Sequence, residues 1–131
     1  KLVRNLNEMP GATLAWIADR DPDRLQRVST DYPGARATPD VEELLRSDVE
    51  AVVIATPIRT HYPLAKAALL AGKHVMVEKP LTASSLEARD LTQMATARGL
   101  TLMVGHTFQY NAAIRTLRDI VTSGELGEIF Y

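Results

Sequence analysis

Residues 51–55, with the sequence AVVIA, are continuously apolar and rich in β-branched side chains. A strand that is apolar on both faces is typical of the centre of a parallel sheet that helices cover on each side. Parallel strands need crossover connections, and the segments around this run alternate between strand and helix patterns. The sequence therefore predicts an α/β fold built from βαβ units with right-handed crossovers.

The same pattern predicts where the strands and helices lie. The predicted strands are residues 13–18, 51–55, 74–77, 100–104 and 128–131. Helix start signals occur at Asp21, Thr38 and Ser84, and another helix is expected to start near Thr60. Glycines that end helices follow at positions 11, 34, 72, 99 and 124. Because ligands of parallel sheets bind at the carboxyl ends of the strands, the residues after each strand are the site candidates.

Composition narrows the class of protein. The chain has 131 residues, of which 46% are hydrophobic and 24% charged, and its formal net charge is -1. These values predict one globular domain and argue against a disordered chain or a nucleic-acid binder. The apolar runs are too short to span a bilayer, so no membrane partner is expected. The lack of cysteine fits a cytoplasmic protein, and the histidines at 61, 74 and 106 are too scattered to predict a metal site.

The first two predicted strand ends carry polar residues. Asp19 and Arg20 follow the first strand, where a carboxylate can accept hydrogen bonds from an adenosine ribose and a guanidinium can hold a phosphate. A simple turn explains this pair about equally well. Thr56 and Pro57 follow the apolar strand, with His61 beyond them. From spacing alone, a helix cap with a solvated histidine is the more ordinary interpretation of this second segment.

Glu78-Lys79-Pro80 is the most informative tripeptide in the chain. Two oppositely charged residues follow a buried strand directly. Desolvation destabilises such charges unless they form an ion pair or bind a ligand. Proline fixes the backbone there, so that Lys79 can donate to a substrate oxygen or take part in proton transfer. The alternative is a Glu78–Lys79 ion pair at the rim of the domain.

The strand at residues 100–104 is followed by Gly105 and His106, with Gln109 and Tyr110 farther along the same segment. Glycine lets a ligand approach the backbone closely, and the other three residues offer polar groups to the same crevice. Each of these signals is weak alone, because aromatic residues with a polar tip are also common in protein cores.

Together these strand ends resemble the N-terminal half of the GFO/IDH/MocA oxidoreductases, the family of glucose–fructose oxidoreductase and inositol dehydrogenase. The block AVVIATPIRTHYPLAKAALLAGKHVMVEKPLTAS is similar to the most recognisable part of the family. The segment GLTLMVGHTFQYNAAIRTLRDIVTSGELGEIFY resembles the part that leads into the second domain of its members. The likeness covers essentially the whole chain.

The resemblance implies a Rossmann-like fold, a doubly wound parallel sheet in three layers, that binds NAD, with NADP possible. It implies that Lys79 is the catalytic residue, near the nicotinamide and the reacting hydroxyl, and that the bond before Pro80 is cis. The implied cofactor-binding positions are Asp19, Arg20, Ala55, Thr56, Pro57, His61, Glu78, Lys79, Pro80 and His106. The implied substrate contacts are Lys79, Gln109 and Tyr110, although many relatives have arginine where this chain has Phe108-Gln109.

Two departures from the family pattern concern the ends of the chain. The first strand and the glycine-rich phosphate turn of the family are not found before Asp19, so the fold is expected to be incomplete. Residues 1–123 are then the cofactor-binding domain without its first strand, and residues 124–131 start a second domain. With that central strand absent, the strands at 14–18 and 52–55 have no shared neighbour, and we expect the isolated chain not to fold stably or to turn over substrate.

The function implied is hydride transfer between a nicotinamide cofactor and a hydroxyl or keto carbon of a sugar, sugar nucleotide or cyclitol. Asp19 favours NAD, because its charge repels a 2'-phosphate, and Arg20 leaves dual use open. The full-length parent is expected to be a homo-oligomer. The alternatives are a regulatory NAD(P)-binding protein of the same fold and a βαβ module without a ligand.

Overall fold

The computed structural model describes residues 1–130 and contains six helices and five short strands. The helices are α1 (Leu2–Asn7), α2 (Pro22–Asp31), α3 (Val41–Leu45), α4 (His61–Leu70), α5 (Ser85–Arg98) and α6 (Ala112–Ser123). The strands are β1 (Trp16–Ala18), β2 (Arg36–Thr38), β3 (Ala51–Ile54), β4 (His74–Val77) and β5 (Leu102–Val104). Single 3₁₀ turns at Ile58–Thr60 and Thr107–Tyr110 precede α4 and α6. This order confirms the predicted alternation of strands and helices.

The strands form two parallel sheets. One pairs β1 with β2, and the other has the order β3-β4-β5. Within the described residues β1 and β3 belong to different sheets and do not pair, as the sequence predicted. The layout agrees with the two halves of a Rossmann-type sheet on either side of a central position.

Strand β2 is an element that the sequence did not reveal. It has only three residues, Arg-Ala-Thr, and two of them are exposed. Its pairing with β1 places Arg36 opposite Trp16, and the guanidinium carbon lies 4.4 Å from the centre of the indole ring. Such a strand is stabilised by its partner rather than by an apolar run of its own.

Side-chain caps explain most helix starts. Asp21 accepts hydrogen bonds from the backbone N–H groups of Asp23 and Arg24, and Ser84 accepts one from Glu87, as predicted. The helix predicted to start at Thr38 instead has Asp40 as its cap. Thr38 ends strand β2, and its buried hydroxyl donates to the Glu43 carboxylate over 2.7 Å.

The hydrophobic core lies between α4, α5 and the three-stranded sheet. Its most deeply buried members are Ala65, Ala68, Leu69, Val77 and Leu91, each with no exposed surface. The predicted apolar stripe of α6 is present, but it lies at the surface: Ile114, Leu117 and Val121 are 42%, 53% and 41% exposed. Among the described residues the core therefore does not include α6, and the residues before β3 contribute only Leu44 and Leu45 of α3 to its buried cluster.

Three predicted strands are shorter than expected, the second of them ending at Ile54 rather than residue 55, and one is not formed in the described residues. The first begins at Trp16 rather than residue 13, and the fourth begins at Leu102 rather than residue 100. Residues 128–130 have no regular secondary structure, and Tyr131 lies outside the described residues. In the part of the chain that the structure describes, no helix combines the length and the apolar character that a membrane span needs.

A polar cluster joins α4 to α5. The Tyr62 hydroxyl donates to Asp90 Oδ2 over 2.8 Å, and the Lys66 ammonium donates to the same oxygen and to the Tyr62 hydroxyl over 2.9 Å. The hydrogen bonds to Tyr62 and Asp90 raise the pKa of Lys66 above its usual value. The hydrogen bonds from Lys66 and Tyr62 lower the pKa of Asp90 below its usual value.

The cluster predicts a pH-dependent effect of Asp90→Asn. Because the Asp90 pKa is lowered in the folded state, its stabilising contribution is present above the unfolded value near 3.8 and disappears as pH falls through the folded pKa. Because the Lys66 pKa is raised in the folded state, the contribution of Lys66 to stability is complete below its unfolded pKa of 10.5 and is lost as pH rises through the folded pKa. We expect Asp90→Asn to lower the Tm at neutral pH and to match the wild type in strong acid.

Thermal unfolding of the native polypeptide that carries this domain, followed by circular dichroism across this pH range, measures the difference in Tm. Asp119→Asn is the matched control, because Asp119 forms an exposed ion pair with the adjacent Arg118 and bridges no helices. The same Tm loss in both variants at neutral pH would contradict a specific role for the α4–α5 cluster.

Candidate functional site

The carboxyl ends of β3, β4 and β5 lie level with one another. Ile54, Val77 and Val104 are aligned across the three strands. Two backbone hydrogen bonds close this edge: Glu78 N–H donates to Ile54 O over 2.9 Å, and Gly105 N–H donates to Val77 O over 2.8 Å. The residues that follow the three strands are therefore brought together at one edge, where a parallel sheet binds ligands.

Glu78, Lys79 and Pro80 occupy the middle of this edge. The Glu78 carboxylate turns toward β5, and its Oε2 would lie 3.2 Å from a Cβ atom built on Gly105. The same oxygen accepts the Lys79 backbone N–H over 3.3 Å. In residues 1–130 the Lys79 ammonium forms no ion pair, so the alternative of a Glu78–Lys79 ion pair is not supported. The Lys79–Pro80 peptide bond is cis, as the family resemblance implied.

The exposed segment after β3 supplies backbone and hydroxyl groups to the edge. Ala55, Thr56 and Pro57 are all exposed. The Thr60 hydroxyl lies 2.7 Å from both the Thr56 hydroxyl and the Pro57 carbonyl, and it makes no cap to the helix that follows. These contacts hold the turn in place and leave it open to a ligand, an arrangement that the sequence pattern did not reveal.

His61 is inside the protein rather than in the crevice. It is 2% exposed. Its Nδ1 lies 2.9 Å from the Pro80 carbonyl oxygen and its Nε2 lies 2.8 Å from the Thr56 carbonyl oxygen. Both ring nitrogens therefore meet backbone atoms of this chain. The structure thereby corrects the expectation that the His61 side chain lines the cofactor, because the ring is buried. The buried ring also differs from the solvated histidine of the alternative interpretation.

Asp19 lies at the carboxyl end of β1, as predicted. One carboxylate oxygen accepts the Asp21 backbone N–H over 3.0 Å, and the other lies 3.7 Å from the Arg24 guanidinium. Arg20 is exposed beside it. Arg24 was not identified from the sequence, because a helical arginine six residues beyond a strand end has no distinctive pattern. The arrangement offers a carboxylate for ribose hydroxyls next to two cations that suit a phosphate.

The segment after β5 is mostly exposed. Gly105 is buried beneath Glu78, whereas His106, Gln109 and Tyr110 are open to solvent. Arg115 orders the turn by donating from Nε to the Gln109 carbonyl over 3.1 Å, and its guanidinium carbon lies 5.9 Å from the centre of the Tyr110 ring. The contacts of Arg115 were not expected from the sequence.

Two surface depressions lie elsewhere on the sheets, the second of them reaching Val104 at this edge. One, of about 550 Å³, is lined by residues such as Trp16, Arg36 and Arg46. The other, of about 360 Å³, lies between α5 and β5. Neither brings polar groups from several strand ends together, so the carboxyl edge is the better candidate on chemical grounds. Within residues 1–130 no group of three metal-ligating side chains is found.

Comparison with known proteins agrees with this geometry. Residues 1–106 match the family described as the oxidoreductase family with an NAD-binding Rossmann fold, GFO/IDH/MocA. The dTDP-3,4-didehydro-2,6-dideoxy-alpha-D-glucose 3-reductase of Streptomyces antibioticus is 39% identical over 92% of this chain and 37% of its own length. The UDP-N-acetylglucosamine 3-dehydrogenase of Acidithiobacillus ferrooxidans is 40% identical over 81% of this chain and 33% of its own length.

A solved structure shows the same fold. A 3-ketoreductase from Actinomadura kijaniata, crystallised with NADP and TDP-benzene, superposes with a TM-score of 0.85 at 33% identity. The match covers 93% of this chain and 38% of the ketoreductase. The chain thus spans between a third and two fifths of the length of these relatives. It belongs to the GFO/IDH/MocA oxidoreductase family and corresponds to the NAD(P)-binding Rossmann part of that family.

Proposed function

We propose that this chain forms the cofactor half of an oxidoreductase that moves a hydride between a nicotinamide and a carbinol or keto carbon of a sugar-like substrate. The observation that carries the proposal is the position of Lys79. It follows the central strand of the three-stranded sheet, it is exposed, and it has no carboxylate partner among residues 1–130. A cation left unpaired beside a half-buried carboxylate is available for a ligand.

The residues present suit a dinucleotide. At one end, Asp19 offers a carboxylate to the adenosine ribose, with Arg20 and Arg24 beside it. At the other end, the exposed turn at Thr56 and Pro57 and the segment Glu78-Lys79-Pro80 border the place for the nicotinamide. The bound cofactor supplies the hydride donor or acceptor.

Lys79 has the central role in this proposal. Its ammonium donates a hydrogen bond to the reacting oxygen of the substrate and stabilises the negative charge that develops there. The Glu78 carboxylate accepts the backbone N–H of Lys79 and packs over Gly105. These two contacts keep the middle of the edge in one conformation. Gln109 and Tyr110, on the ordered turn after β5, contact the substrate.

A sugar nucleotide is the proposed substrate class. The two relatives described above are named for dTDP- and UDP-linked sugars, and a scyllo-inositol 2-dehydrogenase from Bacillus subtilis is 33% identical over 81% of this chain. Sugars and cyclitols share a ring carbinol whose hydrogen can leave as hydride. Residues 1–123 are proposed as the cofactor domain, and residues 124–131 as the start of a substrate domain.

Cofactor binding provides the direct test, and Asp19→Asn is the informative variant. Titration of the native polypeptide that carries this domain with NADH and NADPH, followed by nicotinamide fluorescence, is expected to show saturable binding. Asp19→Asn should weaken NADH binding about tenfold through lost charge-assisted hydrogen bonds to the ribose, and it should leave NADPH binding equal or tighter because repulsion of the 2'-phosphate is removed.

The control for this titration is Asp31→Asn, since Asp31 lies at the far end of α2 from Asp19. Absence of saturable binding of either cofactor to the wild-type native polypeptide contradicts the proposed function. Equal weakening of NADH and NADPH by Asp19→Asn contradicts the role of Asp19 in choosing between them.

A further inference from the structure

We propose that His61 is a positioning residue for the cofactor crevice, acting through the two backbone segments that it bridges rather than by touching a ligand. The inference uses a buried polar group to which the proposed reaction assigns no role. The inference rests on the proposed function for the identity of the ligand. The structural role of His61 can be tested without any ligand.

The bridge has a definite geometry. The His61 ring lies between the carbonyl oxygens of Thr56 and Pro80, at 2.8 Å and 2.9 Å from its two nitrogens. Thr56 follows β3, and Pro80 follows β4 by three residues. A neutral imidazole donates to one carbonyl and an imidazolium donates to both, so in either form the ring ties α4 to at least one of these segments.

The position of the bridge relates it to Lys79. Pro80 follows Lys79 directly, so that a fixed Pro80 carbonyl limits the directions in which the Lys79 side chain can leave the backbone. Thr56 is the residue whose hydroxyl contacts Thr60 in the other exposed turn of the crevice. One buried ring thereby sets the spacing between the two turns that we assign to the nicotinamide end.

Burial of the ring keeps it away from a ligand. His61 is 2% exposed, whereas Thr56, Lys79 and Pro80 are all exposed. Thr56 and Pro80 are exposed turn residues rather than core residues, so loss of the two contacts need not unfold the domain. The bridge therefore contributes to local order at the crevice more than to overall stability.

Hydrogen exchange in the native polypeptide that carries this domain tests the bridge in the absence of a ligand. His61→Phe keeps a ring but removes both contacts. We expect the Glu78 and Gly105 amides, which close the carboxyl edge, to exchange about tenfold faster, the factor expected when one buried hydrogen bond is lost. The Val75 amide, which donates to Thr101 O at the opposite end of β4, should change little.

The stability control is Leu91→Val, which shortens a fully buried side chain of α5 away from the crevice. This variant should accelerate exchange at both ends of β4 together. Uniform acceleration in His61→Phe, or no acceleration at the carboxyl edge, overturns the proposal.

Cofactor titration then tests the functional consequence. His61→Phe should weaken NADPH binding about tenfold under conditions in which it is folded, while Leu91→Val binds like the wild type. His61→Gln keeps an N–H donor and should recover part of the lost affinity. Unchanged affinity in His61→Phe overturns the positioning role. If the wild-type native polypeptide binds neither cofactor, the proposed function fails, and the exchange pattern still decides whether His61 holds the edge.

Discussion

The Lys79→Met variant is expected to lose about 10²- to 10⁴-fold in kcat for hydride transfer, the range that a positioned proton or hydrogen-bond donor contributes. Methionine keeps most of the length of the side chain and removes its charge. The loss should fall on kcat more than on cofactor affinity, because the proposed contact is with the oxygen that becomes negative in the transition state.

The measurement is steady-state reduction of NAD(P) by the native polypeptide that carries this domain, with dTDP-sugars, UDP-sugars and inositols as substrates. Lys73→Met is the matched control, because Lys73 lies just before the same strand and donates to the Ser47 carbonyl over 2.7 Å. A Lys79→Met enzyme with unchanged kcat and a raised KM would place Lys79 in ground-state binding alone. Equal losses in the two variants would point to stability as the cause.

The Leu91→Ala variant is expected to lower the free energy of unfolding by about 2–5 kcal/mol, the cost of a cavity left by a buried leucine. Leu91 has no exposed surface, and it is part of the core that α4, α5 and the three-stranded sheet share. This is a large fraction of the total stability of a small domain, so unfolding at lower temperature or lower denaturant concentration should be evident.

Chemical denaturation of the native polypeptide that carries this domain, followed by circular dichroism, gives this change in the free energy of unfolding. Leu86→Ala is the matched control, since Leu86 lies on the same helix and is 73% exposed. Its effect should stay within about 0.5 kcal/mol. Similar losses in the two variants would mean that α5 does not pack on the sheet as the structure shows.

The sequence was most informative where the chain is apolar on both sides or where a side chain caps a helix. Strands β3 and β4 and the caps at Asp21 and Ser84 agree with their predictions because their causes are local. Strand β2 could not be found in this way. Its Arg-Ala-Thr sequence forms a strand only because β1 lies beside it, and pairing between distant segments leaves no periodic signal.

Much of the candidate site could be listed from the strand ends, but not its internal contacts. The edge that holds Glu78, Lys79 and Gly105 follows from the register of parallel strands. The burial of His61 does not, because its partners are carbonyl groups 5 and 19 residues away, and backbone acceptors carry no sequence signature. The same holds for Arg24 and Arg115, whose contacts depend on how helices meet the strand ends.

The division of the strands into two sheets has a consequence for cooperativity. Asp19 belongs to the β1–β2 side and Lys79 to the β3–β4–β5 side, so a dinucleotide that reaches both depends on each of them being folded. Local opening of either side would release it, and saturating ligand at 100 times its Kd adds about 2.7 kcal/mol to the cost of such an opening. A bound dinucleotide would thus couple the unfolding of the two sheets more tightly than their shared core alone does.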